Sequence, residues 1–216
     1  LAANGGNGGP GSSVGGRGGN GGGCQGAALC MSGPGSLVNV TIDDNHAVAG
    51  NGATGGTGGS AGGTGGNGGD AAGAGIANYL DTNRLLNCTL AMGLVAQGAA
   101  GAGGTPSGAP GVSGVARGAN VYVSAGALDL VNTLIAYGAA ASNCSGVVRD
   151  GGHNICSDAS AGFSAPGSLN NTDPHLGSLL SNGGPTRTMA LINPSPAIDA
   201  GDDALAPMTD QRHYLR

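Results

Sequence analysis

Tryptophan is absent from this chain, phenylalanine occurs once and tyrosine four times. A core keyed by large aromatic side chains is therefore excluded. Lysine and glutamate are absent too, so the seven basic residues are all arginine and the twelve acidic residues all aspartate. No segment offers the 3.6-residue apolar period of an amphipathic helix. The net charge is −5 and the arginines are scattered, so there is no basic stripe for a phosphate backbone and nucleic acid is excluded as a partner. No apolar run reaches the ~18–20 residues of a membrane helix, so no transmembrane segment is expected. Five cysteines are too few for a disulfide scaffold. The Cys-x-x-Cys pair of many zinc sites is also missing.

Glycine fills the space these residues leave, at 49 of 216 positions. That excess argues against an ordinary globular core. With 39% apolar residues, simple disorder does not fit either. The glycines gather in three tracts, Asn4–Gly23, Gly50–Gly75 and Gly98–Gly118. Within them runs a triplet: Asn4-Gly-Gly, Asn7-Gly-Gly, Arg17-Gly-Gly and Asn20-Gly-Gly, then Thr54-Gly-Gly, Thr57-Gly-Gly, Thr64-Gly-Gly and Asn67-Gly-Gly. Three residues per turn is the period of polyproline II. Such a strand shows side chains on one face and bare glycine on the other two, so neighbours can approach closely. The alternative is a flexible glycine linker. Collagen is excluded because the phase is broken and proline is scarce.

Each tract is followed by an apolar strand around Leu-x-Asn: Leu37-Val-Asn39, Leu85-Leu-Asn87 and Leu130-Val-Asn132, the asparagines lying 48 and then 45 residues apart. Here the pattern switches to period two, as in Val38, Val40 and Ile42. A repeat of short strands with long lateral insertions predicts an all-β fold, a right-handed parallel β-helix with Gly-rich polyproline II-like insertions. Each repeat is one or two coils plus one glycine excursion. Asn39, Asn87 and Asn132 are expected to stack as an inward structural ladder. Residues 1–142 form the repeats, and residues 143–216 the last coils with an irregular C-terminal cap and tail, where turn formers dominate.

The stretch from Asn143 to Arg212 resembles the choice-of-anchor Q domain of bacterial surface and secreted proteins. The resemblance rests on Asn143-Cys-Ser-Gly, Gly152-His-Asn-Ile, Leu176-Gly, Asn182-Gly-Gly-Pro-Thr, Ser195-Pro-Ala-Ile-Asp-Ala-Gly and Thr209-Asp-Gln-Arg. It implies a right-handed β-helix on an exported, surface-attached protein and no defined catalytic site. The chain departs from the pattern in its long glycine tracts, which resemble the Gly-Gly-x arrays of PGRS proteins, and in stopping at Arg216 without an anchor region. Leu1, inside a glycine stretch, reads as the start of a trimmed product.

Cys24 with Cys30 and Cys144 with Cys156 are close enough in sequence to form two local disulfides in an exported protein, with Cys88 as a buried spare; five reduced thiols are the alternative. Asp43-Asp-Asn-His46 is the densest polar group. With Asp81 and Arg84 it is the only set that suits a polysaccharide-acting β-helix enzyme, a lyase or glycosidase, although a solvated turn explains it more simply. Asp199, Asp202, Asp203 and Asp210 offer oxygen ligands for Ca²⁺ without EF-hand spacing, so no cofactor is assigned. Asn39-Val-Thr41 and Asn87-Cys-Thr89 match glycosylation sequons through the repeat. The preferred expectation is a non-enzymatic extracellular structural or adhesive protein, secreted or on the cell surface. It would be a homo-oligomer or filament joined end to end, with surface or glycan contact as a further expected interaction.

Overall fold

A computed structural model describes residues 1–216 of the protein. The chain is all-β, with no helix. The first coil holds β1 (Cys24–Gln25), β2 (Leu29–Met31), β3 (Ser36–Val38), β4 (Thr41–Asp43) and β5 (His46–Val48). The second holds β6 (Ala71–Ala72), β7 (Ile76–Asn78), β8 (Thr82–Leu86), β9 (Thr89–Ala91) and β10 (Leu94–Ala96). The third holds β11 (Ala116–Arg117), β12 (Val121–Val123), β13 (Ala127–Val131) and β14 (Leu134–Ala136), and the fourth β15 (Cys144–Ser145), β16 (Val148–Asp150) and β17 (Ile155–Cys156). Counterparts pair in parallel, in the orders β2-β7-β12-β15, β3-β8-β13-β16 and β4-β9-β14-β17. Stacked parallel sheets of this kind are compatible with a parallel β-helix. Each repeat is one coil plus one glycine segment.

Period-two alternation turns one side of every strand inward, and parallel register stacks like on like. Leu29, Ile76, Val121 and Cys144 form one column. Ile42, Leu90, Ile135 and Cys156 form another. Leu37, Leu85 and Leu130 form a third. Fully burying a Leu or Ile side chain contributes roughly 1.5–3 kcal/mol, so these columns are the main apolar support of the coils. A second cluster of small residues, Ala47, Ala49, Ala71, Ala74, Val95 and Ala119, sits where the glycine segments leave the coils.

Asn39, Asn87 and Asn132 occupy equivalent positions, at the turns β3–β4, β8–β9 and β13–β14, with φ of 54°, 54° and 50°. Asparagine tolerates this left-handed conformation better than other side chains. The three side chains are half-buried at these turns, among the coils' corners and not in the fully buried core. Asn132 Nδ2 donates to Asn87 Oδ1 at 3.1 Å, while Asn39 Nδ2 donates to the carbonyl of Thr209 in the C-terminal tail. The buried asparagines are Asn78, Asn83, Asn120, Asn143 and Asn154. Asn120 accepts from the Gly93 N–H at 2.9 Å and donates to the Ala136 carbonyl at 2.9 Å and to Asn143 Oδ1 at 2.7 Å.

The glycine segments form three layers beside the coils: residues 1–23, 49–70 and 97–115. Every third N–H of one layer donates to a carbonyl of the next. Gly5, Gly8 and Gly11 donate to Asn51, Thr54 and Thr57, and Gly52, Gly55 and Gly58 to Ala99, Ala102 and Thr105. Within the first layer the two arms also bond, Gly16 to Gly9 and Gly19 to Gly6. Asparagine side chains add a rung, with Asn51 N–H donating to Asn4 Oδ1, Ala99 N–H to Asn51 Oδ1 and Val112 N–H to Asn67 Oδ1. A Cβ on Gly66 would stand 1.9 Å from the Gly19 carbonyl oxygen, so no other residue fits there.

The two ends of the stack differ. Residues 157–175 close the last coil, with Phe163 and Ala161 packed on its core and Leu169 bridged to Ile155. An antiparallel hairpin follows, β18 (Leu176–Leu180) with β19 (Thr188–Leu191). The tail then runs back along the turns from the fourth coil to the first: Ala200 meets His153, Asp202 meets Asn132, and Gln211 meets Thr41. At the opposite end β2, β3, β4 and β5 keep a free edge.

The two kinds of asparagine separate by mutation. Asn120→Ala leaves the buried Gly93 N–H unpaired and is expected to cost about 1–3 kcal/mol. Asn87→Gly, at a turn of positive φ, is expected to be near neutral, whereas Asn87→Ala costs ~1–2 kcal/mol through left-handed strain. Denaturant melts of the three variants check the order.

Candidate functional site

The carboxylates singled out in the sequence lie at two different corners of the coils. Asp43 and Asp44 stand at the β4–β5 turn. Asp44 is at φ 51° and lies 3.1 Å from the His46 ring. Burial, then the charge of Asp44, raises the Asp43 carboxyl above its ordinary value. Asp81 stands at the β7–β8 turn with φ 56°, its carbonyl accepting from Asn78. Arg84 lies along β8 in an outward column with Ser36 and Asp129, and Asp129 faces Arg149 at 3.6 Å. This is a cross-strand charge column of the kind that supports sheets. Asp43 and Asp44 are not brought to one cleft with Asp81 and Arg84.

The C-terminal aspartates have backbone duties. Asp202 exchanges main-chain bonds with Asn132, its N–H donating to Oδ1 at 2.8 Å and its carbonyl accepting from Nδ2 at 3.1 Å. Its carboxylate also accepts from the Ala204 N–H. Asp210 holds Arg212 at 2.7 Å inside a small turn. Asp199 takes a left-handed φ of 54°. No three His, Cys, Asp or Glu side chains converge as metal ligands.

All five cysteines are free thiols. Cys30 is exposed and Cys24 half-buried on the first coil, and Cys88 is buried beside Asn87. Cys144 and Cys156 face each other across the interior of the last coil. A hydrogen bond to Cys156, with burial, holds the Cys144 thiol well above its ordinary value.

What the tail creates is a cleft of ≈ 450 Å³ between itself and the turn column, lined among others by Asn87, Thr89, Asn132, His153, Asp199 and Arg216. It offers amide, hydroxyl, carboxylate and guanidinium groups to a polar ligand. Sequence reasoning missed it, since only tertiary docking of the tail brings residues so far apart together. The buried asparagines did carry a signal: Asn120 and Asn143 each directly precede an inward residue, Val121 and Cys144, that shares one column.

No family model matches the chain, and neither a curated protein nor a solved structure matches it. No helix is long and apolar enough to cross a membrane.

Two carboxylates, Asp150 and Asp158, hold the cap that closes the last coil. Burial raises the Asp158 carboxyl, but bonds from the Ser160 hydroxyl and from the Asn143 and Ser160 N–H groups outweigh it and lower the value from 3.8 to about 2. Asp150, similarly buried, is lowered by the Ala165 N–H, Ser168 and Asn154. Groups with a depressed folded value stabilise above the ordinary carboxylate range, and that stability is lost as pH falls from there toward the folded value. Amide protection across residues 157–175, taken relative to the intrinsic exchange rate at each pH, is therefore expected to fall between pH 4 and pH 2, and less so in Asp158→Asn measured against its own protection at neutral pH. Oxidation by glutathione disulfide in mild denaturant is expected to join Cys144 to Cys156 before any other pair, which non-reducing peptide mapping checks.

Proposed function

We propose that this is an extracellular structural or adhesive surface protein, a right-handed parallel β-helix whose glycine layers are packed polyproline II strands. The bond repeat of three residues between layers supports the polyproline II reading, since that helix has three residues per turn. The resemblance of Asn143–Arg212 to the choice-of-anchor Q domain supports export and surface attachment.

One observation carries the functional reading: the stack is closed at one end and open at the other. Residues 157–175 cap the last coil, while the first coil presents free strand edges and half-buried Leu29, Leu37, Val40 and Ile42 at its mouth. A free parallel edge invites further strands. The protein is thus suited to be joined end to end through its first coil. A self-assembling fibre is the case in which a second copy is what joins there. Exchange of the tail between copies is the weaker route, because the tail is hydrogen-bonded to its own coils. The cleft under the tail is the place for a glycan contact.

The second reading is a polysaccharide-acting enzyme using Asp43, Asp44, Asp81 and Arg84. It draws only on the raised Asp43 carboxyl, which suits a proton donor. A screen with acidic and neutral polysaccharides separates the two. No turnover is expected, and turnover lost in Asp44→Ala would establish the enzyme instead. Light scattering over a concentration series, with negative-stain images, is expected to show end-joined particles if copies join each other. A strictly monomeric protein sinks the homo-fibre.

A further inference from the structure

The bonds made at every third position of the glycine layers run in one direction. There each layer gives glycine N–H groups and asparagine Oδ1 atoms to the next, which receives them through C=O and N–H, while a separate set of glycine bonds runs back, Gly50 and Gly56 donating to Gly22 and Gly16. Asn51 shows both halves: its carbonyl accepts from Gly5 and its N–H donates to Asn4 Oδ1. Asn67 does the same with Gly21 and Asn20.

The giving side ends in the third layer. There the residues equivalent to Asn51 and Asn67 are Ala99 and Val112, which have no side-chain acceptor. The donor positions equivalent to Gly58 and Gly65 are Pro106 and Pro110, which have no N–H. Ala100 spends its N–H on Ser113 Oγ of its own layer. Alanine, valine and proline thus interrupt the ladder, as proline blunts a sheet edge, and leave only the Gly103 and Ser113 N–H groups of this face unbonded.

The receiving side of the first layer has no such stop. The carbonyls of Asn4, Asn7, Val14, Arg17 and Asn20 accept no bond from the protein, and the N–H groups of Asn4, Asn7, Arg17 and Asn20 donate none. A second observation comes from sterics. The Cβ positions of Gly56 and Gly66 would fall 2.0 and 1.9 Å from carbonyl oxygens of the preceding layer, which explains those glycines. Gly6 and Gly9 are on the first layer, and a Cβ on either meets nothing within 4 Å. Nothing inside this protein requires them to be glycine. The free edge of the first coil lies at the same end.

We propose that the outer face of the first glycine layer, continuous with the open first coil, is a docking surface for another x-Gly-Gly chain, which adds to it as a preceding layer. The partner supplies a glycine N–H to the carbonyls of Asn4, Asn7 and Asn20 and an asparagine Oδ1 to the N–H groups of Asn4 and Asn20. Its own carbonyl passes over Gly9, the counterpart of Gly56, where only glycine leaves room; the counterpart of Gly6 is Ala53. A second copy of the protein matches poorly. Its third layer is blunted by Pro106 and Pro110, and its first layer would set carbonyls against carbonyls. The inference names the partner of the open end invoked above and rests on that reading only in taking this end as a joining surface.

The probe is a synthetic peptide with the sequence of residues 1–23, added to the full-length protein. Amide exchange at Asn4 and Asn20 is expected to slow at least about tenfold at saturating peptide. A peptide N-methylated at Gly5, Gly8, Gly18 and Gly21 lacks the donors and is expected to have no effect. The double variant Gly6→Ala, Gly9→Ala is expected to keep the parent melting temperature and lose the peptide effect. No slowing with the unmodified peptide overturns the proposal, as does equal slowing by the N-methylated one or an undiminished effect in the double variant. Slowing that appears without peptide and grows with protein concentration assigns the face to a second copy instead. That last result would leave the end-joining reading standing, whereas monomers that also ignore the peptide would remove both.

Discussion

The hydrogen bond from a glycine N–H in one layer to a carbonyl in the next, repeated every third residue, is the constraint on which the rest of this protein depends. It needs backbones closer than any side chain allows: a Cβ on Gly65 would lie 2.1 Å from the Gly101 carbonyl oxygen of the next layer. Side chains are thereby confined to one position in three, where Asn and Thr serve best because they are short and polar.

The coils solve the complementary problem. Their columns of Leu, Ile and Val are the apolar support that the glycine layers cannot supply. The seam between the two parts is a cluster of alanines around Val95, small enough for the layers to leave the coils without a gap. Polar side chains at the corners are consumed by backbone bonds, as Asn120 and Asn154 show. At the capped end Asp150 and Asp158 do the same work with charge. The outer faces of the first and third layers differ in residue choice: proline, alanine and valine in the third, asparagine and glycine in the first.

Much of this was legible in the sequence. Alternation at Val38–Ile42 and the spacing of the Leu-x-Asn cores pointed to parallel coils, because register in a stacked sheet is set by which face is apolar. The triplets in the tracts marked the layers. Asn39, Asn87 and Asn132 occupy equivalent turns of positive φ, a conformation invisible in composition, and their side chains are half-buried there. The polar cleft was not legible at all. His153 and Arg216 meet Asn87 there only because the tail doubles back, and the tail's partners are chosen by tertiary fit. The aspartates at Asp43 and Asp81 looked like a set in sequence, yet their turns fall at different corners of the coil.

Amide hydrogen exchange resolved to single residues across the second glycine layer tests the central claim most directly. The N–H groups of Gly52, Gly55, Gly65 and Gly68 donate to the third layer, whereas those of Thr54, Thr57 and Thr64 donate to none. The account predicts slow exchange at the glycines and fast exchange at the threonines, in a three-residue rhythm. Uniformly fast exchange from residue 49 to residue 70 would contradict it, because the layers would then be loops without a bonded lattice.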